Sequence, residues 1–225
     1  MWVEVVSWQP RAFVLHNALS HEECDAMVEA SLPDMKAALV ENGDVTDWRT
    51  NSQRWVSLEE SRKDKNVRRL IKTAALISGH PEVNQELVQI LRYKPGQYYM
   101  PHYDAIKNLQ GLQGQAQRAL TILFYLTDVA EGGETVFPKG KLASEYADRN
   151  HVDLEGSSTC PNEYRHNIVK PRKGDALLFF SLDESSLHVD THSLHGSCPV
   201  AEGEKWGATV WVHTKSFFED DLGLH

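Results

Sequence analysis

Hydrophobic residues in the first third of the chain recur at helical spacing. A capping box, in which Ser and Glu three residues apart bond each other's backbone, opens one helix at Ser20–Glu23 that runs to about Ser31, and a second at Ser57–Glu60. A third helix follows, ending at Gly79 and Pro81. Its apolar positions follow the i, i+3, i+4 pattern of one buried helix face and are Val67, Leu70, Ile71, Ala74, Ala75 and Ile77.

Short strands and turn residues replace this helical pattern from Glu86 onward. The predicted strands in this part span residues 87–93, 98–104, 120–126, 168–170, 175–181 and 205–214, and two more strands, 3–6 and 12–15, are predicted before the first helix. The run 120–126 is apolar at almost every position, which predicts burial on both faces. Residues 168–170 and 175–181 flank the turn Pro171–Gly174 and are predicted to pair as a hairpin. The polar segments 108–117 and 139–167 are predicted loops, and the second is expected to be mobile.

This order of elements predicts a mainly β fold with flanking helices. Many short strands, Gly/Pro turns and no alternating helices are typical of a double-sheet jelly roll, or cupin-like barrel, also called a double-stranded β-helix. No repeat or linker divides the chain, so a single domain is expected over residues 1–225. Residues 1–85 would supply helix-containing support, and residues 86–215 the jelly-roll core.

The charge balance limits the classes of partner. The chain has 225 residues, of which 41% are hydrophobic and 24% charged, with a net charge of -9. An acidic protein is poorly suited to sequence-independent nucleic-acid binding, which needs Lys and Arg to neutralise phosphates. A neutral or basic peptide partner is compatible with this charge. The sequence does not predict an oligomeric state.

Hydropathy predicts no membrane segment, because no apolar run approaches the roughly 18 residues that a transmembrane helix needs. The N-terminus lacks the basic flank and apolar core of a secretory signal. Two locations therefore stay open: the endoplasmic reticulum and secretory pathway if a leader was trimmed, and the cytoplasm otherwise.

Three cysteines are too few for a disulfide scaffold and lack zinc-finger spacing. Cys160 lies in a polar loop, and Cys198 lies in a strand-rich segment. The two could pair if the loop folds back, which would imply an oxidising compartment. Free thiols in a reducing cytosol are the alternative, and the spacing alone does not decide between them.

A candidate metal site begins at His102 and Asp104. Residues two apart in a strand project from the same face, so both side chains can point at one ion. A distant His195 precedes a strand-like run that carries Lys205, ten positions further on. Two imidazoles and one carboxylate are the ligand set of non-haem Fe(II) oxygenases, which leaves coordination positions open. The neighbouring His188 and His192 are more simply surface or ordinary core histidines.

Four segments, residues 91–104, 131–135, 170–177 and 194–200, resemble the catalytic domain of prolyl 4-hydroxylases, especially the short plant and green-algal type. The likeness continues weakly upstream and covers nearly the whole chain. The family folds as a double-stranded β-helix. The resemblance implies a 2-oxoglutarate-dependent dioxygenase that uses Fe(II), O2 and 2-oxoglutarate, with ascorbate, to convert peptidyl proline to 4-hydroxyproline. Succinate and CO2 would be released.

The resemblance also implies roles for individual residues. The metal ligands would be His102, Asp104 and His195. Lys205 would pair with the distal carboxylate of 2-oxoglutarate, and this co-substrate would accept hydrogen bonds from Tyr93 and Thr135. A buried carboxylate without a cation would be costly, which independently favours a lysine at the base of the site. Strand alternation places four further residues on the face of Lys205, namely Gly207, Thr209, Trp211 and His213.

Peptide-contacting residues are implied in the same way at Tyr99, Arg118, Trp211 and His213, with Arg49 as a further candidate. Extended proline-rich segments dock well on aromatic-lined grooves. Tyr99 has the opposite strand parity from His102, so an ideal strand would aim the two side chains apart.

Three alternative functions stay open. The first is the same chemistry on another substrate, such as a small molecule or a nucleic acid, although the acidic balance and Lys205 disfavour a nucleic-acid dealkylase. The second is a non-catalytic jelly-roll module that binds proline-rich peptides, which would have no need for three metal ligands and an anion partner. The third is a zinc hydrolase, which would leave Lys205 without a role.

Overall fold

The computed structural model describes residues 1–38, 47–106, 117–144, 159–161, 167–184, 186 and 188–217. The predicted loops 108–117 and 139–167 lie largely outside these ranges. Among the residues that are described, no helix has both the length and the apolar character needed to cross a bilayer.

Three α-helices are described, α1 (His21–Ser31), α2 (Leu58–Lys63) and α3 (Lys65–Ser78). Both predicted capping boxes are present, with Ser20 and Ser57 as the N-cap residues of α1 and α2. Gly79 ends α3 in the left-handed region at φ 71°, which glycine adopts without a steric penalty. Short 3-10 turns span Leu32–Asp34, Glu82–Asn84 and Thr191–Ser193.

The described residues contain fifteen strands: β1 (Trp2–Gln9), β2 (Arg11–His16), β3 (Lys36–Ala37), β4 (Ser52–Trp55), β5 (Gln89–Tyr93), β6 (Tyr99–His102), β7 (Arg118–Tyr125), β8 (Glu131–Gly132), β9 (Thr135–Val136), β10 (Lys141–Leu142), β11 (Ile168–Val169), β12 (Ala176–Phe180), β13 (His195–Ser197), β14 (Val200–Glu202) and β15 (Lys205–His213). Nine form one sheet in the order β10-β1-β2-β12-β7-β15-β5-β4-β3, and four form a second sheet in the order β11-β9-β13-β6. β14 pairs with β8. Antiparallel pairing in two sheets confirms the predicted mainly β jelly roll.

Alternation along β7 and β15 places two different environments on the two faces of the large sheet. One face packs against the helices, where Leu70 of α3 joins the main hydrophobic cluster. That cluster takes Leu120, Ile122 and Phe124 from β7, and Trp206, Ala208, Val210 and Val212 from β15. The other face is turned toward the second sheet, and the intervening residues of both strands line a cavity there. The predicted burial of this part of β7 on both faces is confirmed.

The predicted hairpin between residues 168–170 and 175–181 is wrong. β11 pairs with β9 in the small sheet, whereas β12 lies between β2 and β7 in the large sheet. The turn Pro171–Gly174 therefore carries the chain from one sheet to the other. A tight turn reverses the chain locally, but the partner of each strand is decided by which sheet buries its apolar side chains.

Candidate active site

The side chains of His102, Asp104 and His195 converge in the cavity between the two sheets. One ligand atom from each lies within 4.8 Å of the others. The Nε2 atom of His102 is 3.5 Å from Oδ1 of Asp104, and the Nε2 atom of His195 is 3.4 Å from Oδ2. Antiparallel pairing of β13 with β6 places His195 directly opposite His102. Two separated segments therefore supply one compact donor set.

Backbone carbonyl groups orient both imidazoles. The Nδ1 atom of His102 lies 2.9 Å from the Met100 carbonyl oxygen, and that of His195 lies 2.9 Å from the Ser193 carbonyl oxygen. A carbonyl can only accept, so each Nδ1 carries the proton and each Nε2 presents a lone pair toward Asp104. In metal-ligating histidines, the ring nitrogen that does not bind the metal usually donates such a hydrogen bond.

The nearby histidines do not join the cluster. His188 is exposed. The Nδ1 atom of His192 lies 2.9 Å from Oδ1 of Asp190. Both positions match the expectation that these residues are ordinary surface or packed histidines.

Burial and charge set the protonation of the donor set. Burial acts to raise the pKa of Asp104, but the neighbouring His195 and His102 hold that pKa well below its usual range. Burial lowers the pKa of His195 to about 4, so its imidazole is neutral at neutral pH. The Thr121 hydroxyl donates a 2.6 Å hydrogen bond to Oδ2 of Asp104 and fixes the carboxylate. A carboxylate and a neutral imidazole suit a divalent cation.

β6 is shorter and less regular than predicted. It ends at His102, so Asp104 lies just beyond the strand instead of on it. Pairing with β13 shifts register, because His102 faces His195 whereas Tyr99 faces Ser197, which leaves an extra residue on β6. This β-bulge lets the Tyr99 ring stack on the His102 ring, and the two ring centroids are 3.7 Å apart. The ideal-strand expectation that these two side chains point apart is therefore wrong.

Lys205 lies at the base of the cavity and is only 2% exposed. Its Nζ donates a 2.8 Å hydrogen bond to Ser197 Oγ and lies 5.3 Å from the Tyr93 ring centroid. The Thr135 and Tyr125 hydroxyls share a 2.8 Å hydrogen bond in the same region. Burial lowers the pKa of Lys205 to about 7, so an anionic group beside it would be strongly favoured. Burial also raises the pKa of Tyr93, which keeps its hydroxyl neutral.

The cavity above this base has a volume of about 800 Å³. Its lining includes Tyr99, Arg118, Trp211 and Arg49. The Arg118 guanidinium stacks 4.1 Å from a ring centroid of Trp211, and that of Arg49 lies 4.6 Å from the Tyr99 ring centroid. The wall is therefore both aromatic and cationic.

His213 is the one proposed peptide contact that does not line the cavity. Its Nε2 atom lies 2.7 Å from Oε1 of Glu86, and the Arg118 Nη2 donates a 2.8 Å hydrogen bond to Oε2 of the same carboxylate. Burial acts to raise the pKa of Glu86, but His213 and Arg118 keep it below its usual value. His213 thus contacts the same carboxylate that holds Arg118 in the cavity wall.

Four site residues were missed in the sequence analysis: Glu86, Thr121, Tyr125 and Ser197. Strand alternation contained a signal for two of them, because Thr121 and Tyr125 share the cavity-facing parity of β7. Ser197 could have been found from its two-residue spacing from His195. No signal marked Glu86, whose partners are far away along the chain.

The sequence left open whether Cys160 and Cys198 pair or stay free, and the structure contains the disulfide. Cys160 and Cys198 are bonded, with Cα atoms 4.9 Å apart. Cys24 is buried outside any disulfide, and burial raises the pKa of its thiol to about 11.

Comparison with known proteins identifies the family to which this chain belongs. Residues 88–213 match the model of the 2OG-Fe(II) oxygenase superfamily. "Prolyl 4-hydroxylase 1" of Arabidopsis thaliana is 41% identical over 221 residues, covering 95% of this chain and 72% of the relative. "Probable prolyl 4-hydroxylase 7" of the same plant is 40% identical, and the chain spans 96% of its own length but 66% of that relative.

A solved structure has the same architecture. The collagen prolyl hydroxylase of Paramecium bursaria Chlorella virus-1, solved with 2-oxoglutarate, superposes with a TM-score of 0.64. It is 26% identical, and the match covers 91% of this chain and 96% of the viral one. The family model and the plant relatives together show that the chain belongs to the prolyl 4-hydroxylases of the 2OG-Fe(II) oxygenase superfamily.

Proposed function

We propose that this protein hydroxylates the fourth ring carbon of peptidyl proline. The observation that carries the proposal is the two-imidazole, one-carboxylate donor set in one cavity with a buried lysine. Membership of the prolyl 4-hydroxylase family supports the proline substrate. Fe(II) and 2-oxoglutarate, when bound, supply the oxidation by O2, in which one oxygen atom enters the substrate and the other enters succinate as CO2 leaves.

His102, Asp104 and His195 would hold the iron. Their donor chemistry fits Fe(II), because three ligands from one side leave positions for a chelating co-substrate and O2. The Nδ1 hydrogen bonds to Met100 and Ser193 hold both rings with Nε2 toward the shared centre. The stacked Tyr99 ring and the Thr121 hydroxyl restrict movement of His102 and Asp104.

Lys205 would bind the distal carboxylate of 2-oxoglutarate. It is the buried cation at the base of the cavity, and a dianion placed there needs a charge partner. The Tyr93 and Thr135 hydroxyls would donate the hydrogen bonds that fix this carboxylate, because both residues line the same cavity. Binding of 2-oxoglutarate in the viral relative supports this assignment.

The aromatic and cationic part of the cavity wall would bind the peptide. A proline ring is apolar and packs well on aromatic faces, which Tyr99 and Trp211 present. Trp55 extends the aromatic surface, since its ring centroid lies 5.8 Å from that of Trp211. Arg118, held by Glu86, would donate hydrogen bonds to peptide carbonyl groups, which lack partners in an extended chain. His213 would act through Glu86.

The test is an assay of purified protein with Fe(II), 2-oxoglutarate, ascorbate and a panel of proline-containing peptides. We expect succinate release coupled to the gain of one oxygen atom in the peptide, assigned to 4-hydroxyproline by mass fragmentation. His195→Ala should lose both signals. His192→Ala is the matched control, because this histidine lies outside the cluster and should keep full turnover. Unchanged turnover in His195→Ala, or succinate release without peptide oxidation for every peptide, would contradict the proposal.

A further inference from the structure

A second group of metal-ligating side chains lies outside the iron site. It consists of Glu134, Cys160 and Cys198, all buried, with one ligand atom of each within 4.8 Å of the others. The Cys198 N–H donates a 2.9 Å hydrogen bond to the Glu134 carbonyl oxygen, which ties the two backbones together. Val136 and Ile168 enclose the two cysteines in a small apolar cluster. The three side chains therefore share one enclosed place in the fold.

The Glu134 carboxylate is poorly satisfied where it lies. The residue is 4% exposed, and among the described residues no group hydrogen-bonds to its buried Oε2 atom. The charge of Lys205 acts on this carboxylate, but the described hydrogen bond of its Nζ goes to Ser197 Oγ and not to Oε2. An unpaired buried carboxylate oxygen is costly, so native proteins usually satisfy one with a donor or a cation. Among the described residues, the other possible ligand atoms of this cluster are the two sulfur atoms beside it.

We propose that reduction of the Cys160–Cys198 disulfide converts this cluster into a second metal site, which takes a thiophilic divalent cation such as Zn²⁺. Two thiolates and a carboxylate are ligands that Zn²⁺ binds well, and three protein ligands leave a tetrahedral ion one position for water. The iron-site donors contain no sulfur, so the two sites differ in the metals that they select.

The chemistry balances with a phosphine as the reductant. The phosphine gives two electrons to the S–S bond, which breaks, and a water molecule supplies the oxygen of the phosphine oxide and the two thiol protons. Binding of Zn²⁺ then displaces those two protons as the two S–Zn bonds form. Zn²⁺ and the two thiolates are together neutral, so the Glu134 carboxylate, as third ligand, leaves the site with one net negative charge and no change in oxidation state.

Zinc binding requires the two bonded sulfur atoms to move apart after reduction. Zn–S bonds of about 2.3 Å in a tetrahedron place two sulfur atoms about 3.8 Å apart. The two cysteine Cα atoms are 4.9 Å apart, so rotation of the side chains can open this gap while the backbone stays in place.

The experiment uses Co²⁺ as a spectroscopic probe in the full chain. Protein reduced with a phosphine should bind one equivalent of Co²⁺ with a near-ultraviolet charge-transfer band, which only a thiolate ligand produces, and Zn²⁺ should remove that band. Oxidised protein and reduced Cys198→Ser should not show it. Reduced Cys24→Ala, which removes the free thiol instead, should keep it. Glu134→Gln should weaken Co²⁺ binding roughly tenfold or more, as loss of a supporting ligand does.

Three results would overturn the proposal. The first is a reduced protein that keeps its near-ultraviolet circular dichroism but gives no band with Co²⁺, or a band that Zn²⁺ does not remove. The second is an unchanged Co²⁺ affinity in Glu134→Gln, measured from the intensity of the charge-transfer band. The third is loss of the native circular dichroism on reduction, because the site requires the folded chain.

Discussion

Thr121 donates a 2.6 Å hydrogen bond from its hydroxyl to Oδ2 of Asp104. The same Oδ2 atom lies 3.4 Å from Nε2 of His195, so the hydroxyl fixes the carboxylate that stands between the two imidazoles. Outer hydrogen bonds of this kind orient metal ligands and tune their affinity.

We predict that Thr121→Val weakens Fe(II) binding by about 10- to 100-fold, because valine has the shape of threonine but cannot donate the hydrogen bond. The measurement is the Fe(II) concentration that gives half-maximal peptide oxidation. Thr121→Ser keeps the hydroxyl and should stay near the wild-type value. Equal Fe(II) requirements in the valine and serine variants would show that the hydrogen bond is unimportant.

Lys205 should make 2-oxoglutarate binding depend on pH. Its pKa is lowered by burial from 10.5 to about 7, so the free protein loses this charge as pH rises through about 7. The distal carboxylate needs the protonated form. Affinity should therefore be complete below that pH and fall by up to about tenfold for each pH unit above it. Calorimetric titration with 2-oxoglutarate across neutral pH measures the effect.

Lys205→Arg is the control for this dependence, since guanidinium keeps its proton over the whole range. The arginine variant should show a flatter pH profile, whatever its absolute affinity. Lys205→Ala should mainly raise the requirement for 2-oxoglutarate. An identical pH profile in the wild-type and arginine proteins would exclude Lys205 as the titrating group.

Glu86 should control peptide affinity through Arg118. Glu86→Gln removes the charge that holds the guanidinium against Trp211, so Arg118 is no longer fixed in the cavity wall. We expect the peptide KM to rise about tenfold, equivalent to about 1.4 kcal/mol, while the KM for 2-oxoglutarate stays constant. Glu82→Gln breaks the surface pair with Arg68 and should change neither constant. A parallel rise in both constants for Glu86→Gln would point to general damage.

Helix α3 offers a matched test of the helix-covered core. Leu70 is fully buried there, whereas Leu76 on the same helix is 70% exposed. Leu70→Ala should lower the free energy of unfolding by about 2–5 kcal/mol, because it leaves a cavity in a packed core. Leu76→Ala should change it by less than about 0.5 kcal/mol. Urea unfolding followed by circular dichroism measures both values, and similar losses would contradict the described packing.

Much of the fold follows from local patterns. The capping boxes at Ser20 and Ser57 and the left-handed Gly79 are short-range signals, and all three are confirmed. Alternation from Lys205 correctly predicted that Gly207, Thr209 and Trp211 share its face, because the period of a strand is a property of its backbone. The proximity of His102, Asp104 and His195 was also expected, while their roles as ligands stay predictions.

Features that depend on the partner strand could not be predicted in this way. The register shift beside Tyr99 exists only because β6 pairs with β13, and the failed hairpin reflects strands that join different sheets. Glu86 has a role in the site through its contacts with Arg118 and His213, which lie 32 and 127 positions further along the chain. Long-range pairing of this kind leaves no mark on a single sequence.

The two-faced character of β15 restricts how this protein can evolve. Its even-numbered residues pack under the helices, and its odd-numbered residues face the cavity from Lys205 to Trp211. Insertion or deletion of one residue inside the strand would exchange the two sets and bury a lysine in the apolar layer. Substrate preference can therefore change through point substitutions at the odd-numbered positions of β15. Changes in the length of this strand should be removed by selection.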